Sequence, residues 1–187
     1  IRRIEAVTGR FAQEKVKKDT ENLKEISLEL EVQPQKIEES IQRMTLQLKY
    51  LEQRLKSFRL SLFNEDLNNI INSAGILNGV KVVIKKIEHA DLELLREMSD
   101  LLRQKMSLFI VILASIYQDR VYFVTAVSED LIKNNGLDAS RLIKEIAGYV
   151  GGSGGGRKDF AQAGAKDVSK LDLALSKAKD IIQERLK

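Results

Sequence analysis

One run near the end of the chain holds the residues best suited to chemistry. It reads Gly151-Gly152-Ser153-Gly154-Gly155-Gly156-Arg157-Lys158-Asp159-Phe160-Ala161-Gln162-Ala163-Gly164. Glycine lets the main chain turn through φ > 0 and lets another backbone or a phosphate come close. Arg157 and Lys158 bring the charge that phosphate needs, and Lys166 and Lys170 follow. The run therefore predicts a place where a polyanion meets the main chain. Its candidate contacts are Gly154, Gly155, Gly156, Arg157, Lys158, Gln162, Lys166 and Lys170. Two plainer explanations stand beside this one. The glycines are a flexible linker, or they pack closely against a sheet. A linker does not account for Arg157, Phe160 or Gln162.

Other chemistries find little support. The chain has no cysteine and one histidine, His89, so neither a disulfide framework nor a thiolate or histidine metal cluster is expected. His89 reads as a surface residue at a strand-to-helix junction. The glycine run ends Gly-Arg-Lys, which is not a Walker A loop, and a helix-like stretch precedes it, which argues against a dinucleotide fingerprint. No catalytic set is present, and no cofactor or metal is expected within this stretch. A net charge of +4 and a pI near 9.2 permit nucleic-acid binding without demanding it. Lys81, Lys85, Lys86, Lys177, Lys179, Arg185 and Lys187 are further cations that either touch phosphate or keep the chain in solution. Aromatic residues make up only 5%, so recognition through backbone and shape is expected over stacking on unpaired bases. No run of about 18 apolar residues is present, so no membrane contact is expected.

The positioning elements follow from periodicity. Ile37, Ile41, Met44, Leu48, Leu51, Leu55, Phe58 and Leu62 alternate four and three apart, a heptad seam on a helix from 36 to 63. Ala12, Val16, Leu23, Ile26 and Leu30 continue the alternation before Pro34, the chain's only proline. An antiparallel, coiled-coil-like helical hairpin with its tip at Val32-Gln33-Pro34 is predicted, and its seam is a candidate dimer interface. Asn64 to Asn78 reads as a polar transition. Beyond it, Val80–Ile87 is a strand, Asp91 caps a helix, and Leu108–Ile116 and Arg120–Val127 form a tight hairpin around Gln118-Asp119. Helices are expected over 138–149 and 167–185. The fold class is thus α+β: a helical hairpin over 10–74, then a small α/β domain with a mixed sheet over 75–187. Residues 1–9 stand apart as a tail. The chain lacks an initiator methionine and is expected to be a piece of a longer protein.

The glycine run resembles the GGxGGGRxxxAQxxG signature of the C-terminal domain of alanyl-tRNA synthetases, a domain type called DHHA1 that also closes the DHH phosphoesterases. Ile1-Arg2-Arg3-Ile4-Glu5-Ala6-Val7-Thr8-Gly9 is similar to the segment that ends the synthetases' editing domain. Two departures are Lys158, where many members carry proline, and Phe160, where methionine is frequent. The resemblance implies a tRNA-binding domain that brings tRNA(Ala) to aminoacylation and editing centres elsewhere in a cytoplasmic alanine–tRNA ligase. It implies ATP and zinc only in those upstream domains, and possible self-association through the helices. The alternatives are a dimerisation module with incidental RNA contact, or an accessory domain of a DHH-family phosphoesterase. No Asp-His-His triplet is present to support the last.

Overall fold

The structure is a computed structural model that describes Arg2 and residues 6–186. Ile1, Arg3, Ile4 and Glu5, part of the similarity at the start of the chain, lie outside the described residues, as does Lys187. The chain divides into two compact units, Ile1–Leu55 and Lys56–Lys187.

In the first unit, helix α1 (Gly9–Glu29) is followed by a 3-10 turn, Pro34–Lys36, and by the start of helix α2 (Ile37–Asn72). Pro34 opens the 3-10 turn, where its missing N–H costs nothing and its fixed φ suits the geometry. Ahead of it the Ser27 hydroxyl donates to the Val32 carbonyl, and the Val32 N–H donates back to the Ser27 carbonyl at 3.0 Å. Among the described residues of this unit, burial is confined to Ser27, Ile37 and Ser40, at the predicted tip. The seam residues Ile41, Met44, Leu48, Leu51 and Leu55 are 49–58% exposed, and Val16, Leu23 and Ile26 on α1 are exposed as well. The heptad stripe is present as the sequence indicates, but α1 does not close over it. A knob at an a or d position needs a facing hole, and only Ile37 finds cover here.

The second unit begins with the last turns of α2. The sequence pattern ends this helix at 63 and places a boundary at 74/75, yet the helix continues to Asn72. Phe63, Leu67, Ile70 and Ile71 make a stripe at i, i+4, i+7, i+8 that is buried in the core of this unit. Asn64, Asn68, Asn69 and Asn72 on the other faces disguise it as a polar linker.

The sheet has the order β1-β2-β3-β4-β6-β5, with strands Gly75–Leu77, Val80–Lys86, Phe109–Tyr117, Arg120–Val127, Ser153–Gly156 (β5) and Phe160–Ala165 (β6). β2 and β3 run parallel, linked by helix α3 (Leu92–Lys105), and all other neighbours are antiparallel. This is the expected mixed sheet. Asp91 caps α3 by accepting from the Leu94 N–H at 2.7 Å. Gln118 (φ 48°) and Asp119 (φ 56°) turn the β3–β4 hairpin in the left-handed geometry that a two-residue loop requires. Alternation puts Phe109, Val111, Leu113, Val124 and Ala126 on one face, beneath α3 and the end of α2. Ile110, Ile112, Phe123, Ala161, Ala163 and Ala165 face the other way, against helices α5 (Ala139–Gly148) and α6 (Leu171–Arg185). The short strand β1, the short helix α4 (Glu129–Asn135), and β5 and β6 have no counterpart in the sequence expectation.

Leu67 is almost fully buried. Leu67→Ala is expected to destabilise the second unit by about 2–5 kcal/mol in chemical or thermal unfolding. A residue in a polar linker would change stability by less than about 0.5 kcal/mol.

Candidate nucleic-acid interface

The glycine run is neither a linker nor a free loop. Ser153–Gly156 is the edge strand of the sheet, paired with β6 in the register Ser153↔Gly164, Gly154↔Ala163, Gly155↔Gln162 and Gly156↔Ala161. Alternate glycines are there because the backbones lie so close. A Cβ on Gly154 would sit 2.5 Å from the Ala163 Cβ and 2.6 Å from the Gln162 carbonyl oxygen. One on Gly152 would sit 2.6 Å from the Ala165 Cβ, and one on Gly156 would sit 2.5 Å from the Phe160 carbonyl oxygen. Gly155 differs: nothing lies within 4 Å of where its Cβ would be. Close packing, one of the plainer explanations, therefore accounts for Gly152, Gly154 and Gly156.

The turn from β5 to β6 is tied down by its main chain. The Arg157 N–H donates to the Phe160 carbonyl at 2.8 Å. The Lys158 carbonyl accepts from the Ala139 N–H at 2.8 Å, and the Asp159 carbonyl from the Val127 N–H at 2.9 Å. The Arg157 guanidinium reaches Asp159 through Nε at 3.0 Å and Nη2 at 3.1 Å. Asp159 also lies 3.6 Å from Arg103 of α3, whose guanidinium stands 5.8 Å from the centre of the Phe160 ring. Arg157 is thus an exposed cation with a carboxylate already on it. Lys158 is exposed and makes no ion pair among the described residues.

Gln162 points from β6 toward α3. Its Oε1 accepts from Arg96 Nε at 2.9 Å and from Arg96 Nη2. Beyond the other end of β6, Lys166 is exposed and Lys170 lies 3.0 Å from Asp167. The Ser169 hydroxyl, and after it the Lys170 ammonium, hold the Asp167 carboxyl below its ordinary range. Six strand residues separate the two cation groups, roughly 20 Å at ~3.3 Å per residue. The predicted contacts therefore form two clusters, Arg157 with Lys158 and Lys166 with Lys170, on either end of one strand.

Several other cations proposed from sequence are occupied. Lys85 lies 3.6 Å from Asp66, Lys86 lies 3.7 Å from Asp172, and Arg185 Nη2 lies 2.6 Å from Glu145. Asp180, 3.1 Å away, raises the Lys177 pKa. A cleft of about 680 Å³ beside Arg103 is lined by Asp100, Glu129, Asp130 and Asp159, a poor lining for an anion. No cluster of metal-ligating side chains occurs among the described residues. The sequence pattern missed Arg96 and Arg103. They stand seven residues apart on α3, a spacing that puts both on one helix face beside β6.

An α/β domain with a mixed six-stranded sheet whose edge strand is glycine, followed by Arg and an Ala-Gln pair, defines a recognisable class. The model of the DHHA1 domain family matches residues 79–184, and the chain belongs to that family. Along its whole length it is 34% identical to the alanine–tRNA ligase of Clostridioides difficile (strain 630) and 36% identical to that of Thermoanaerobacter sp. (strain X514). It covers 21% of each of those proteins. The solved C-Ala domain of Aquifex aeolicus alanyl-tRNA synthetase matches with a TM-score of 0.53 at 29% identity, over 61% of this chain and 97% of that one. The chain thus spans about a fifth of the length of the curated relatives it matches.

The two kinds of glycine should separate on substitution. Gly154→Ala is expected to cost about 1–3 kcal/mol, because a methyl must displace Ala163 or the backbone beside it. Gly155→Ala is expected to change stability by no more than about 0.5 kcal/mol. Thermal unfolding of the two variants decides.

Proposed function

We propose that this chain is the part of an alanine–tRNA ligase that binds tRNA(Ala), holding it for aminoacylation and editing centres carried elsewhere in the full-length protein. The observation that carries the reading is the placing of cations at both ends of β6, beside an edge strand in which three of four residues are glycine. Similarity to alanine–tRNA ligases along the entire chain supports it. On this reading the chemistry, with its ATP and zinc, belongs to the upstream domains, and the work is done in the cytoplasm. Backbone phosphates are the natural target for lysine and arginine at this spacing, and binding through them weakens as salt rises.

Arg157→Ala with Lys158→Ala is expected to weaken tRNA binding in a low-salt gel shift. The salt dependence should fall by about one counterion for each phosphate that is no longer neutralised. Unchanged affinity in a folded double variant would remove the turn from the interface.

The exposed seam favours a second role alongside the first. Ile41, Met44, Leu48, Leu51 and Leu55 offer an uncovered apolar stripe that a second copy of the chain would bury. Sedimentation is expected to show a dimer that Leu48→Asp with Leu55→Asp dissociates while tRNA binding persists. A monomer at all concentrations would leave the stripe without this role.

A further inference from the structure

Several arginines of this chain are held by a carboxylate, and a cation so held has its charge largely spent. Arg10 pairs with Glu14, Arg141 with Asp138, Arg157 with Asp159 and Arg185 with Glu145. Arg96 is different. Two of its N–H groups converge on one neutral acceptor, the Gln162 side-chain oxygen. A neutral amide fixes the direction of a guanidinium without cancelling its charge, whereas a carboxylate does both.

The acids that Arg96 would otherwise choose are engaged elsewhere. Glu93, three residues before it, lies 2.7 Å from Lys56, which Glu97 shares at the same distance. That double contact, hydrogen bonds to Glu93 and then Glu97, raises the Lys56 pKa. Asp100, four residues on and well spaced for an ion pair, lies 3.2 Å from Arg103 instead. Arg96 is exposed, and Gly155, directly across from Gln162 on the same face, leaves the space beside it open. Among the described residues nothing holds its Nη1 group or the outer N–H of Nη2, which can meet two oxygens of one phosphate.

We infer that Arg96, aimed by Gln162, is a phosphate-binding residue of this surface, and that Gln162 is its positioning residue rather than a contact in its own right. The inference rests on the tRNA-binding reading and extends it to a residue on α3, outside the glycine run. The ligand is a phosphodiester of the RNA backbone. Arg157, the more obvious arginine, contributes less because Asp159 neutralises it.

The test is a salt series of tRNA binding, read by fluorescence anisotropy on the chain and its variants, with thermal unfolding as the control for folding. Arg96→Gln is expected to weaken binding about tenfold and to lower the salt slope by about one. Arg96→Lys should restore the slope but only part of the affinity, since a point charge cannot be aimed by the amide. Gln162→Glu is the sharper variant. It is nearly isosteric and should hold Arg96 more firmly, yet it should lose binding much as Arg96→Gln does, because it spends the charge. Full binding by folded Gln162→Glu, or an unchanged slope in Arg96→Gln, overturns the inference while leaving tRNA binding itself intact. A parent chain that binds no tRNA overturns the reading beneath it, and Arg96's role with it.

Discussion

The candidate surface depends on how closely two backbones approach. β5 lies on β6 with no room for a methyl at Gly152, Gly154 or Gly156. That approach lets the Arg157–Phe160 turn close, keeps Ala161, Ala163 and Ala165 against the core with α5, and turns Gln162 and Gly155 to the opposite face. Glycine weakens a strand by losing more backbone freedom on folding. The cost is offset here by the alanines of β6, whose small side chains fill what the glycines leave. The polar residues of the surface are positioned from this contact outward.

Charge is allotted as closely as space. Asp159 serves two arginines, Lys56 serves two glutamates, and Asp167 is divided between Ser169 and Lys170. The excess of four positive charges is therefore not spread evenly over the cations. On this surface Lys158, Lys166 and Arg96 pair with no carboxylate among the described residues. Surface pairs of this kind add little to stability, so their effect lies in deciding which cations keep a field.

What the sequence disclosed follows from what it can encode locally. The helix cap at Asp91, the near-continuous apolar β3 and the two-residue turn at Gln118-Asp119 are short-range patterns, and each stands where it was expected. β5 and β6 were illegible because Ser-Gly-Gly-Gly and Phe-Ala-Gln-Ala-Gly-Ala have little intrinsic strand preference, and only the pairing makes them strands. The end of α2 was hidden by asparagines whose positions are exposed only once the opposite stripe is buried. Arg96 could not be singled out, because an arginine held by glutamine looks in sequence like any other helical arginine.

The same limit explains why the heptad and the glycine run, equally conspicuous in the sequence, came to different ends. A heptad states that a helix has a partner face, yet the partner is written elsewhere, and within the described chain only Ile37 of the seam is buried. The glycine run was ambiguous between a ligand and a neighbouring strand, and the neighbour was present in the same chain, nine residues away at Ala163. An unanswered steric demand points outside the molecule only after every internal claimant has been tried. Gly154 has such a claimant. Among the described residues, Gly155 and the half of the Arg96 guanidinium that Gln162 does not hold have none.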